Sequence, residues 1–130
     1  MITVLIADDS PVMRIGLKLL LDSQPDLEVS ACVADGEEAV AMCRSTSPRV
    51  VVMDLAMPRL DGLAATRALA THGQPPWVVV VTGTADQTKC RDAAEAGAAG
   101  FVLKSEPPEV LLEAIRAVTR GERRLGPVCG

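Results

Sequence analysis

The chain is nearly devoid of aromatic residues: they make up 2% of 130 residues, with one Phe, one Trp and no Tyr. Val, Leu, Ile and Ala must therefore fill the interior. Hydrophobic residues reach 48%, which is enough for one packed core and too much for a disordered segment. No apolar run approaches the roughly 20 residues that span a bilayer. The opening "MITVLIADDS" has no charged leader and no small-residue cleavage site, so it does not read as a signal peptide, and the expected location is cytoplasmic. A basic stripe is also missing. A net charge of −4 and a pI near 4.9 give no electrostatic footprint for direct binding of nucleic acid. The four cysteines, Cys32, Cys43, Cys90 and Cys129, form no CxxC, which argues against zinc and against a disulfide framework. They are expected to be reduced thiols.

What the chain does have is a recurring alternation. "ITVLIA" from Ile2, "LEVSACV" from Leu27, "RVVVM" from Arg49, "WVVVVT" from Trp77 and "GFVL" from Gly100 have the length, and mostly the β-branched content, of strands. The spacing between them is helical. Ser10-Pro11 is a helix start with Pro at the first position, and Val12, Ile15, Leu19 and Leu20 then fall on one face. A second helix follows the Asp35-Gly36 turn with Ala39, Val40 and Cys43 inward, and a third runs from near Leu60 to about Ala70. A fourth spans roughly Asp86 to Ala96 and stops at Gly97, offering the core only Cys90, Ala93, Ala94 and Ala96. The last begins at Pro107-Pro108, with Val110, Leu111, Ala114, Ile115 and Val118 inward. Five βα units in this length predict an open α/β fold, a parallel five-stranded sheet with helices on both faces.

"VVVMDLAMPRLDG", Val50 to Gly62, runs from buried apolar residues straight into a carboxylate. In an open α/β sheet ligands bind outside the carboxyl ends of the strands. Those ends carry Asp8 and Asp9 after the first strand, Asp54 after the third, Thr82 with Gly83 after the fourth, and Lys104 after the fifth. Singly, an Asp at a strand end is usually a cap or a solvated turn. Together, three carboxylates repel unless a cation joins them or one takes a proton. Oxygen ligands without His or Cys suit a hard ion, Mg²⁺ more than Zn²⁺. A hydroxyl, an ammonium and a metal around Asp54, with the small residues Ala56 and Gly83 leaving their backbone N–H groups accessible, form a phosphoryl site.

Over nearly its whole length the chain resembles the receiver domain of two-component response regulators. "ADDS" is similar to the family's metal-binding acids, "MDLAMPRLDG" to the loop around its phosphoacceptor aspartate, "VTG" to its switch hydroxyl and small neighbour, and "GFVLK" to the aromatic residue and lysine of its last strand. "ADDSPVMRIGLKLLL" and "GFVLKSEPPEVLLEAIRAVTRGE" look most like receivers of transcription factors with a LuxR-type helix-turn-helix. The resemblance implies a flavodoxin-like sheet of order 2-1-3-4-5. It implies that Asp54 takes a phosphoryl group from a phosphohistidine of a sensor histidine kinase. Asp9, Asp54 and the Ala56 carbonyl would hold Mg²⁺ directly, and Asp8 partly through water. Lys104 would pair with the phosphoryl group, Thr82 would move to hydrogen-bond it, and Phe101 would rotate inward into the vacated space. The expected outcome is an altered surface controlling transcription, with a homodimer favoured on activation.

The resemblance places a receiver domain at 1–120 and a tail, or the start of a linker to an output domain, at 121–130. DNA would be reached only through that output domain. Such a domain catalyses its own Mg-dependent phosphorylation and slow dephosphorylation and is not otherwise an enzyme. An aspartyl phosphohydrolase would usually carry a second Asp where Ala56 stands, and a degenerate receiver that only binds partners would not need the complete acid, hydroxyl and lysine set. Ser105 stands where many receivers have Pro, so a cis peptide at Lys104–Ser105 is not carried over. Arg14 and Lys18 are either a solvated face or a face that meets acidic groups on the kinase.

Overall fold

The computed structural model describes residues 1–84, 86–126 and 129. Strands β1 (Ile2–Ala7), β2 (Leu27–Val33), β3 (Val50–Met53), β4 (Trp77–Thr82) and β5 (Gly100–Leu103) alternate with helices α1 (Pro11–Asp22), α2 (Gly36–Thr46), α3 (Gly62–Ala70), α4 (Gln87–Ala96) and α5 (Pro108–Thr119). All strand pairs are parallel, in the order β2-β1-β3-β4-β5. The all-apolar β3 is buried along its whole length. Edge strand β2 alternates, with Leu27 and Val33 buried and Glu28, Ser30 and Cys32 exposed.

Four helix starts carry an oxygen cap that satisfies an otherwise unpaired N–H. Ser10 accepts from the Met13 N–H, Asp35 from Glu38, Asp61 from Ala64, and Asp86 from Thr88 and Lys89. Gly97 ends α4 in the left-handed region at φ 114°, where a side chain would be strained. The Lys104–Ser105 peptide is trans.

Alternate residues of each strand face opposite sides, which divides the core in two. One layer packs α1 and α5 on the sheet through Leu17, Leu21, Leu111, Leu112, Ile115 and Val118. The other packs α2, α3 and α4 through Ala39, Cys43, Ala65, Leu69, Cys90 and Ala93. Ala94 is only half-buried. The stripe Val12, Ile15, Leu19 does not face the sheet: these residues are 78%, 62% and 69% exposed, while Leu17 and Leu21 are buried. α1 is apolar on two sides. Met13, Leu17, Leu20 and Leu21 follow helical spacing equally well, so periodicity alone could not choose between the stripes.

The cysteines also depart from expectation. Cys32 and Cys43 are free, but Cys90 and Cys129 are joined in a disulfide with a Cα–Cα distance of 5.3 Å. The chain after α5 turns back over β5 and α4 and brings together two residues 39 apart in sequence. Burial pushes the Cys43 thiol up to about 11. Among the described residues no helix is long and apolar enough to cross a membrane.

Candidate phosphoacceptor site

The carboxyl ends of β1, β3, β4 and β5 open into a cleft of about 500 Å³ lined by Asp9, Asp54, Ala56, Thr82, Gly83 and Lys104, with Lys89 and Asp92 of α4 at its mouth. Asp8 lies beneath it, 1% exposed, and Asp54 is 6% exposed. Carboxylate oxygens of Asp8, Asp9 and Asp54 lie within 4.8 Å of one another. The Lys104 ammonium is 3.1 Å from Asp8 Oδ2 and 3.6 Å from Asp54 Oδ2. Burial holds the Asp54 carboxyl above the usual carboxylate range, and the Asp8 charge adds to it. Lys104 and the Ala56 N–H, 3.4 Å from Asp54 Oδ1, oppose the shift.

The backbone explains why each group sits where it does. The Asp54 N–H donates to the Ala7 carbonyl at 2.9 Å and the Lys104 N–H to the Thr82 carbonyl at 2.8 Å, so the sheet ladder continues one residue past the strands and fixes both side chains. Thr82 is buried, and its hydroxyl accepts from the Thr84 N–H at 3.4 Å. Gly62 lets the loop after β3 fold tightly against Asp54. A Cβ there would lie 2.0 Å from the Asp54 carbonyl oxygen, and the Gly62 N–H instead donates to the Leu55 carbonyl at 3.0 Å.

Phe101, expected to rotate inward on activation, is inward already. It is 4% exposed within the α2–α4 layer, and its N–H donates to the Arg124 carbonyl at 2.9 Å. It does not line the cleft. Arg14 is not a free face either: its guanidinium donates to the Asp8 carbonyl at 2.7 Å and ties α1 to the acidic loop. Lys18 pairs with Asp22.

Sequence reasoning missed a support. Asp35-Gly36 read as a turn, but it also anchors the loop after β3 from outside. The Gly36 N–H donates to the Leu60 carbonyl at 2.9 Å, and a Cβ at Gly36 would sit 2.1 Å from that oxygen. Buried Asp35 also meets Arg59 at 3.5 Å. The one signal in the sequence was a second glycine, unexplained by its own turn.

Comparison with known proteins agrees with this geometry. Residues 4–116 match the model of the response regulator receiver domain. The transcriptional regulatory protein LiaR of Bacillus subtilis (strain 168) is 38% identical over 125 residues, which cover 96% of this chain and 59% of that protein. The nitrate/nitrite response regulator protein NarP of Escherichia coli (strain K12) is 37% identical over 120 residues, 92% of this chain and 56% of that one. The chain thus spans somewhat over half the length of these curated relatives. Among solved structures, a LuxR-family two-component response regulator from Aurantimonas sp. SI85-9A1 superposes with a TM-score of 0.91 at 35% identity, covering 96% of this chain and 89% of that chain. The response regulator domain of Thermotoga maritima CheB gives 0.87 at 33% identity, covering 92% and 97%.

Proposed function

The chain belongs to the response regulator receiver domain family, with relatives among LuxR-family regulators, and from that premise we propose that Asp54 accepts a phosphoryl group from a sensor histidine kinase in a Mg²⁺-dependent reaction. The observation that carries this reading is the gathering of Asp8, Asp9 and Asp54 within 4.8 Å, with Lys104 between two of them.

The donor set fits a hard divalent ion. It is made of oxygen alone, and Lys104 pairs with only two of its three carboxylates, Asp8 and Asp54. Asp9 and Asp54 would hold Mg²⁺ directly with the Ala56 carbonyl, and Asp8 partly through water. Bound there, the ion supplies positive charge that offsets charge developing on the phosphoryl oxygens.

Asp54 is the nucleophile. One carboxylate oxygen bonds to phosphorus as the phosphorus–nitrogen bond of the phosphohistidine breaks, the imidazole leaves, and an acyl phosphate remains. Lys104 balances the added charge and keeps Asp8 as a partner throughout. The Ala56 and Gly83 N–H groups reach the phosphoryl oxygens from two loops. Drawing the Thr82 hydroxyl toward the phosphoryl group loosens the layer that Thr82 shares with Phe101 and α4, which is the step that changes the surface. The output we infer is transcription, the role of the transcriptional regulatory protein LiaR to which the chain is similar.

Intact mass after incubation with acetyl phosphate and Mg²⁺ tests the proposal. One added phosphoryl group is expected, absent from Asp54→Ala and absent when a chelator removes the ion. No gain under conditions that modify another receiver would overturn it in favour of a domain that only binds partners.

A further inference from the structure

After α5, Gly121 at φ 83° reverses the chain, and the segment that follows docks on the domain at three points. On the free edge of β5, the Arg124 N–H donates to the Ala99 carbonyl at 2.8 Å and the Phe101 N–H to the Arg124 carbonyl at 2.9 Å, a parallel bridge that adds a one-residue sixth strand. On α5, the Arg124 guanidinium meets Glu113 at 3.0 Å. On α4, Cys129 is bonded to Cys90. Leu125 and Cys129 pack against the α2–α4 layer, beside the buried Phe101. An unpaired strand edge is a ready template for another chain, and here the chain's own segment occupies it. α4 offers the sheet only small side chains, Cys90, Ala93 and Ala96, so little apolar area holds it.

We propose that the β5 edge and α4 form a docking site for the segment after α5, closed by the Cys90–Cys129 disulfide and released by reduction. Docked, the segment covers the β5 edge and holds α4 against the sheet. Released, it uncovers an apolar strip and a pairing edge and lets α4 move. Cys90 is fully buried while Cys129 is half-buried, so a dithiol reductant attacks the Cys129 sulfur. The Cys90 thiolate leaves and takes up a proton, and a mixed disulfide forms at Cys129. The second thiol of the reductant then displaces Cys129. The reductant ends as its own disulfide and the protein gains two electrons and two protons. In a reducing compartment disulfides are rare and, where one forms, it is usually transient and catalytic or redox-sensing, and that is the compartment the receiver reading implies. Cys43 is no rival partner, being buried with its thiol pushed up to about 11.

The docking itself does not depend on phosphorylation, so its test is separate from that of the receiver reading. Hydrogen exchange on the full chain compares protein equilibrated with oxidised glutathione, the same protein after dithiothreitol, and Cys129→Ser. Apart from glutathione taken up at the exposed Cys32 thiol, the oxidised wild type should be about 2 Da lighter than the reduced one, with peptides containing Cys90 and Cys129 linked. Amides of Gln87–Ala96 and Gly100–Leu103 should exchange roughly tenfold faster or more after reduction and in Cys129→Ser, while β1 and β3 stay unchanged. No linked peptide under oxidising conditions would overturn the proposal. So would equal α4 exchange in all three samples.

Discussion

The two helical layers are built to different standards. Over one face of the sheet, α1 and α5 anchor through Leu17, Leu21, Leu111, Leu112, Ile115 and Val118; over the other, α2, α3 and α4 anchor through two cysteines, three alanines and Leu69. Burial stabilises in proportion to apolar area, about 25 cal/mol per Å². The α1/α5 layer is therefore the platform and the α2–α4 layer the part with least to lose by shifting. Thr82 and Phe101 lie on the weak side: Phe101 belongs to that layer, and Thr82 shares its strand parity with Val78 and Val80. The face with the smaller side chains is the one that repacks at the smaller cost. The disulfide adds to α4 an attachment that packing does not provide.

The largest contrast should come from truncating one anchor in each layer. Ile115→Ala, at a fully buried position, should cost about 2–5 kcal/mol. Ala93→Gly on α4 should cost about 1 kcal/mol, mostly helix propensity. Urea unfolding of the oxidised protein measures both. Equal losses would break the comparison, because α4 would then be held as firmly as α5.

A smaller effect separates glycines required by close approach from glycines that are merely present. Gly62→Ala forces a Cβ to within 2.0 Å of the Asp54 carbonyl oxygen. It should cost about 1–3 kcal/mol as overpacking and slow acetyl phosphate labelling by displacing Asp54. Gly16→Ala, in exposed α1 with nothing within 4 Å, should stabilise by about 0.5–1 kcal/mol and leave labelling alone. A Gly62→Ala protein labelled at the wild-type rate would show that the loop does not position Asp54 for labelling.

These residues also mark what was legible in the sequence. Asp54, Asp8, Thr82 and Lys104 stood out because each ends an apolar run where packing gives no reason for a polar group, and strand parity with parallel pairing then carries all four to one edge. The inward stripe of α1 was not legible, since two stripes had the same period. The Cys90–Cys129 bond was hidden for a different reason: it depends on where the chain goes after α5, and no local pattern encodes that path. The support that Asp35-Gly36 gives was not legible because its partners, Arg59 and Leu60, lie on a distant loop.

The smallest effect is a gain in stability, and it distinguishes electrostatic strain at the site from packing in either layer. Burial and Asp8 raise the Asp54 carboxyl above its ordinary value of 3.8 in the folded chain. Below that value the group is protonated in both states and costs nothing. As pH rises past it, the unfolded chain ionises first and folding loses stability, until Asp54 ionises in the folded state too; above that the penalty is constant. Asp54→Asn removes the penalty, and Lys104 still has Asp8 at 3.1 Å. The variant should therefore be more stable than wild type at neutral pH, by a margin that disappears as pH falls below the ordinary carboxylate range. Adding Mg²⁺ should narrow the margin, since wild type gains an ion to share the charge and the variant has lost a ligand. Thermal unfolding between acid and neutral pH, with and without the ion, measures it. A variant less stable than wild type at neutral pH would show that Asp54 is held by its hydrogen bond and Lys104 more than it is strained by Asp8, and would place the site among the firm parts of the molecule.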